Sequence, residues 1–321
     1  MANTSLNNVL RVIALIVLLG VVVYAYLISL SPDSNDLKEK ISTFTLADLS
    51  LPIALSLLSY LLRFIRWRLI LKQLGYRLPI KNDLIYYLSG FALTMTPGKS
   101  GETIRSAFLL QAEVPIQTSI SAFVIERSLD LIVVGVLATL LYGTPLLALC
   151  IFVVALAFLS LLGIFIVKKF PPGTEQRLPK LLSRVLSIIR HAMLALRPKP
   201  LAGYVALGFF AWLSQGIGFF CIVALFSENI EIFKAIGIYC AGLFVGAVSM
   251  IPGGVGVTEG SLSWLLQNVG VDQNAAILSA LISRGCTLWL AVAIGCVALA
   301  AIIKGQTIPL SSKILKEPEA L

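Results

Sequence analysis

Pro97-Gly98-Lys99-Ser100-Gly101-Glu102 and Pro252-Gly253-Gly254-Val255-Gly256-Val257-Thr258-Glu259 follow one pattern, Pro-Gly-x-x-Gly with a glutamate close behind. The first interrupts the apolar stretch 82–113 and the second interrupts 232–269. Proline lacks the N–H that a helix needs, and glycine admits backbone angles that helices exclude, so each pattern stops a helix and frees backbone groups. In hydrocarbon, freed groups persist only where protein or a water-filled cavity covers them. The two breaks therefore predict interrupted membrane helices. Arg127 follows Glu102 by 25 residues, and Arg284 follows Glu259 by the same 25. Both arginines lie in the apolar span after the break. The correspondence predicts an internal repeat, with copies at about 46–142 and about 201–303.

The rest of the chain agrees with a bilayer setting. Of 321 residues 58% are apolar and 13% charged, where soluble domains carry about 25% charged residues. That balance excludes a soluble globular domain, a disordered chain and a disulfide-rich module. A helix needs about 20 residues to cross the hydrocarbon. Full-length candidates are 9–30, 46–65, 116–142, 145–167, 201–226 and 273–303. The run Val9–Leu30 is longer than a signal-peptide core of about 7–15 residues and lacks an Ala-x-Ala-like site, so it is expected to remain as a first span.

Charge sets the orientation. Lys+Arg number 25 against 16 Asp+Glu, a formal +9. The stretch 63–81 holds Arg63, Arg66, Arg68, Lys72, Arg77 and Lys81 with no acid, and 168–199 holds eight Lys or Arg against Glu175. Both are expected in the cytoplasm. Parity then requires 82–113 to enter and leave on the inner side and 232–269 on the outer side. The expected fold is an all-α polytopic membrane protein, about six full transmembrane helices plus two re-entrant helical hairpins in an inverted-topology repeat. It forms a single domain over 1–321, in the cytoplasmic (inner) membrane with both termini cytoplasmic. Within the basic segment at about 168–200, Lys180, Arg184, Ser187 and His191 share one helical face. The pattern leaves open whether that helix lies on headgroups or is a solvated loop helix. Gly242 and Gly246 form a small-xxx-small pair suited to close helix packing.

Inverted repeats in transporters place the site where broken helices meet at mid-membrane. Ser100 and Thr258 suit helix N-caps, and helix starts attract phosphate. The expected lipid-phosphate set is Lys99, Ser100, Arg105, Arg127, Thr258 and Arg284. Glu102, Glu126, Asp130 and Glu259 are expected as charge partners or proton relays, and Pro97, Gly98, Gly101, Pro252, Gly253 and Gly256 as hinges. Four cations against four acids also permits a purely structural network. Ionisable residues about 15 Å deep, costing at least about 2.5–3.5 kcal/mol each, are functional by default, which favours the phosphate reading.

Other chemistries fit poorly. Gly98-Lys99-Ser100 resembles the end of a Walker A loop, but that motif needs glycine at residue 93, which is leucine. Cys150, Cys221, Cys240, Cys286 and Cys296 form no CxxC pair, and His191 is the single histidine. No metal, cofactor or catalytic residue is assigned, and no nucleic-acid module is present in the sequence.

Arg63-x-x-Arg66-Trp67-Arg68, Pro97-Gly98-x-x-Gly101-Glu102-x-x-Arg105, Glu126-Arg127-x-x-Asp130, Pro252-Gly253-x-x-Gly256-x-x-Glu259 and Ser283-Arg284 together resemble the flippase-like, lysylphosphatidylglycerol synthase transmembrane family over about residues 10–305. A relative in that family is the membrane domain of the multiple peptide resistance factor, which translocates aminoacylated phosphatidylglycerol made by a fused aminoacyltransferase. The resemblance implies lipid or lipid-linked cargo, phospholipid or polyprenyl- or glycan-linked. With Leu321 as its last residue, this chain is not expected to carry the transferase. The alternatives are a membrane-embedded glycosyl or aminoacyl transferase with Glu102 or Asp130 as base, and an accessory subunit in envelope biosynthesis. The expected partners are membrane lipids and anionic headgroups at the cytoplasmic face. A separate lipid-modifying enzyme and a second copy of the chain remain open candidates.

Overall fold

A computed structural model describes residues 45, 47–144, 150–151, 154, 165–166, 168–170, 179–196, 198–227 and 230–305. The expected span at 9–30, most of that at 145–167, and both termini lie outside the described residues. Those described form helices and turns, with no strand among them.

Helix α1 (Ser50–Gln73) runs well past the end expected at residue 65. Arg63 and Arg66 do not terminate it, because both turn inward and are 5% and 0% exposed. These two side chains therefore face the protein interior rather than solvent. The helix instead stops at Gly75, whose φ of 88° permits the paired closing bonds from Gly75 N–H to Lys72 O and Tyr76 N–H to Leu71 O.

The first broken stretch folds back on itself. α2 (Ile80–Ser89) continues as a tight turn over Gly90–Leu93. The chain then reverses through a second tight-turn segment, Pro97–Ile104, into α3 (Arg105–Gln111). Gly98 and Lys99 have φ of 59° and 56°, the left-handed region that breaks the helix. Thr96 Oγ1 accepts the Gly101 N–H at 2.6 Å and so clamps the bend. Gly101 is a close-approach position rather than a hinge, since a Cβ there would lie 2.6 Å from Leu93.

After α4 (Ile116–Ala138) come α5 (Lys180–Ala195) and α6 (Pro198–Ala224). The second broken stretch comprises α7 (Ile232–Val248), a break with Gly253, Gly254 and Gly256 at positive φ, and α8 (Val257–Asn268). Gly242 and Gly246 let the two arms touch, since Cβ atoms there would stand 2.6 Å from Leu262 and 2.0 Å from Thr258. The chain closes with α9 (Gln273–Arg284), one wider π turn at Gly285–Trp289, and α10 (Leu290–Ile303). Asp272 caps α9 by accepting the N–H groups of Asn274 and Ala275.

Among the described residues, Pro200–Ala224 and Gln273–Ile303 are long and apolar enough to cross a bilayer, and Ile232–Val248 is a shorter apolar helix. α1 and α4, at 24 and 23 residues, have the length but carry charges on inward faces. The amphipathic α5 does not lie free. Leu186, Ala192 and Ala195 are buried, Ser121 of α4 donates to Ile188 O at 2.9 Å, and Leu182 and Val185 remain exposed.

Each hairpin packs on a helix that follows the other hairpin. The first docks against α10 and the second against α4. Glycine sets both contacts. A Cβ on Gly295 would fall 2.1 Å from Ala92 N, and one on Gly237 would fall 2.3 Å from Leu141 N. Lipid offers no hydrophobic force between helices, so close backbone approach is what holds such contacts. Gly295→Ala and Gly237→Ala should each cost at least about 1–3 kcal/mol through overpacking. Gly260→Ala, with open space at its Cβ, should be neutral or slightly stabilising. Thermal unfolding in detergent micelles checks all three.

Candidate functional site

The two Pro-Gly turns meet inside the molecule. Gly98 lies against Met250, and Gly253 lies against Met95. Around this meeting point is a cavity of about 240 Å³, lined by α1 (Tyr60, Arg63), the first hairpin (Thr94, Lys99, Glu102), α4 (Arg127, Asp130, Leu131), α6 (Trp212, Gln215), the second hairpin (Met250, Gly253, Thr258) and Arg284 and Thr287. Arg127 and Arg284 thus line one cavity.

The charges are arranged as a shared lattice. Asp130 Oδ1 accepts from Arg66 Nη2 at 2.7 Å and from the Trp212 indole N–H at 3.0 Å. Its Oδ2 lies 3.0 Å from Arg127 Nη2. Glu126 accepts from Arg105 at 2.7 Å and lies 3.9 Å from Arg66. Arg105 is held flat as well, its guanidinium carbon 3.7 Å from the Trp67 ring centroid. Buried charges survive in such sites only when paired and hydrogen-bonded.

The glutamates beside the two breaks play matching parts. Glu102 Oε1 accepts from the Thr94 hydroxyl at 2.8 Å, and its Oε2 lies 3.9 Å from Arg127. Glu259 Oε1 accepts from Arg284 Nε at 2.9 Å, and its Oε2 accepts the Gly256 N–H at 2.7 Å. Arg284 also donates to Gly253 O. In each half, then, the glutamate after the break faces the arginine 25 residues on, at the closer range in the second half.

Among the expected phosphate ligands, Lys99, Arg127, Thr258 and Arg284 line the cavity, and Ser100 and Arg105 do not. Ser100 is exposed and does not cap α3, whose preceding residue is Ile104. Pro97 opens a run of tight turns before α3 begins, which puts Ser100 too early to serve as its cap. Thr258 is likewise inside α8, which starts after Gly256. Its hydroxyl packs instead against Gly246 and Gly254. Arg105 sits behind the wall with Glu126.

Three groups escaped the sequence reading. Arg66 is the closest partner of Asp130, Trp212 donates to the same carboxylate oxygen, and Arg63 lines the cavity. The available signal was the apolar run Leu69-Ile70-Leu71 beyond the arginines, which marks a helix continuing through them. Nothing local marks Trp212, 82 residues from Asp130.

The rim differs from the floor. Leu131, Phe244, Met250 and Ile251 line the same cavity and are 44%, 39%, 58% and 41% exposed. An apolar mouth thus leads to a charged interior. Among the described residues, no group of three or more His, Cys, Asp or Glu could hold a metal ion.

The family described as lysylphosphatidylglycerol synthase TM region matches residues 13–295. A UPF0104 membrane protein from Methanothermobacter thermautotrophicus is 20% identical over 89% of this chain and 94% of its own length. Another UPF0104 membrane protein, from Pyrococcus horikoshii, is 23% identical over 76% of this chain and 84% of its own length.

The lattice makes a quantitative expectation. Asp130→Asn leaves Arg66 buried without its nearest carboxylate and should cost about 3–5 kcal/mol. The double variant Asp130→Asn/Arg66→Met should recover much of that loss. A double-mutant cycle by thermal unfolding in detergent should therefore show strong coupling; purely additive losses would mean that the pair is not a structural unit.

Proposed function

The chain belongs to the lysylphosphatidylglycerol synthase TM region family, and from that membership and the cavity we propose that it translocates lipids across the cytoplasmic membrane. One observation carries the reading: a single cavity joins a cationic floor to an apolar, exposed rim. A lipid has the same division. Its phosphate rests among Lys99, Arg127 and Arg63, while its acyl chains leave past Leu131, Phe244 and Met250. The arginine fork suits phosphate oxygens. Arg127 and Arg63 line the cavity, and neither Nε has a hydrogen-bond partner among the described residues.

The matched Glu102–Arg127 and Glu259–Arg284 pairs, and the crossed docking of the hairpins, support an inverted repeat. Its two halves rock about the meeting point of the Pro-Gly turns and expose the cavity to one side at a time. Arg284 supports the second turn, bound as it is to Glu259 and Gly253. The transferase reading gains less from the geometry. Asp130 accepts two hydrogen bonds and is ion-paired to Arg66 and Arg127, and Glu102 accepts from Thr94 and faces Arg127, so both carboxylates are held as charge partners rather than poised as bases.

The test is reconstitution in vesicles containing acyl-chain-labelled anionic phospholipids, with outer-leaflet label bleached by dithionite. Wild type should move label between leaflets at least about tenfold faster than Arg127→Ala, with Arg127→Lys in between. Equal rates for wild type, Arg127→Ala and protein-free vesicles would reject translocation.

A further inference from the structure

The charges around the cavity do not balance. Four cations line it, Arg63, Lys99, Arg127 and Arg284, against two carboxylates, Glu102 and Asp130. Outside the lining, Arg66 and Arg105 add two cations and Glu126 and Glu259 add two acids, six cations against four acids in all. The formal excess is therefore two positive charges, and it resides in the lining. The contacts say which two. Asp130 is taken by Arg66 and Arg127, Glu126 by Arg105, and Glu259 by Arg284. Glu102 has Arg127 as its nearest cation. Arg63 and Lys99 make no ion pair among the described residues.

Both lean on the same indole. The Arg63 guanidinium carbon is 5.1 Å from the Trp212 ring centroid, and Lys99 Nζ is 5.9 Å from it. Arg63 is 5% exposed and its Nε has no hydrogen-bond partner. Lys99 is held at this spot by a left-handed backbone, φ 56°, a conformation unfavourable for a residue with a Cβ. Contact with an aromatic face offsets only part of the cost of an unneutralised buried cation. The arrangement is completed by a ligand that brings negative charge to both.

Resting on the lipid-transport reading above, we infer that the cavity selects a headgroup ending in a phosphate monoester, with two negative charges, over singly charged, zwitterionic or aminoacylated headgroups. A phosphomonoester carries about −1.5 to −2 at neutral pH. It satisfies Arg63 and Lys99 together. A phosphodiester leaves one of them unmatched, and an added amino group brings a further cation into a site already in excess. A free phosphate has the same charge, so the source must be separated experimentally.

The experiment uses the purified full chain in neutral detergent, with native mass spectrometry to compare phosphatidic acid, phosphatidylglycerol and phosphatidylethanolamine. Inorganic phosphate and glycerol 3-phosphate serve as soluble competitors. Phosphatidic acid should bind at least about tenfold more tightly than phosphatidylglycerol, a ratio worth about 1.4 kcal/mol. Arg63→Gln and Lys99→Gln should each shrink that preference, and together they should bring it within about twofold. Ligand-free thermal unfolding should not fall in either variant, because removing an unmatched cation relieves repulsion; a merely structural cation would lower it. Equal binding of the two lipids by wild type overturns the inference, as does a preference that survives both substitutions. Translocation without headgroup preference also overturns it while leaving transport standing. Tight phosphatidic acid binding without translocation upholds the doubly charged site and rejects the transport reading. Soluble phosphates competing as well as phosphatidic acid uphold the charge selectivity and reassign the ligand to water-soluble phosphate.

Discussion

A carboxylate buried among helices must be matched where it lies, and Asp130 is matched three times. Arg66 comes from α1, Trp212 from α6 and Arg127 from one turn earlier on its own helix. No two of the three helices can shift without breaking one of these contacts. In a bilayer this matters more than apolar contact, because lipid tails compete for apolar surface as well as another helix does. The aromatic residues Trp67, Tyr87 and Phe91 belong to one apolar cluster, and Ile236 and Leu262 belong to another. They fill space around a geometry that this polar seam sets.

The breaks in the helices serve the same seam. A continuous helix would carry its backbone groups and side chains straight past the cavity. The left-handed residues at Gly98, Lys99, Gly253, Gly254 and Gly256 turn the chain back and bring two glutamates, Glu102 and Glu259, to face arginines from following helices. Glu259 also takes the N–H of Gly256, half of a capping arrangement for which glycine has no reciprocal side chain. The close contacts at Gly237 and Gly295 then let each hairpin lie deep enough against its neighbour for the turns to meet. Small residues, left-handed turns and buried acids are thus one device.

That device leaves a remainder, and the remainder carries the functional reading. All four acids of the seam face cations, and among the described residues Arg63 and Lys99 beside Trp212 still make no ion pair. A network built only for stability gains nothing from Arg63, since an unpaired buried cation costs more than an apolar replacement. The apolar rim over a cationic floor has the polarity of an amphiphile with an acidic head. Family membership and local chemistry therefore point to lipids by separate routes.

Much was legible along the chain. The Pro-Gly pattern, the equal 25-residue spacings to Arg127 and Arg284, and the low charge content determined a helical membrane chain with two interrupted stretches, because backbone breaks and hydrophobicity are local properties. The pairing of Arg127 with Asp130 was readable too, as neighbours on one helix face. The fate of Arg63 and Arg66 was not. An arginine near the end of an apolar run can point to headgroups or to the interior, and its own neighbours do not distinguish the two. Only the folded arrangement placed Asp130 against Arg66 and, among the described residues, left Arg63 without a carboxylate at ion-pair distance, because electrostatic compensation depends on which helices stand side by side, a distance of 64 residues in sequence and 2.7 Å in space.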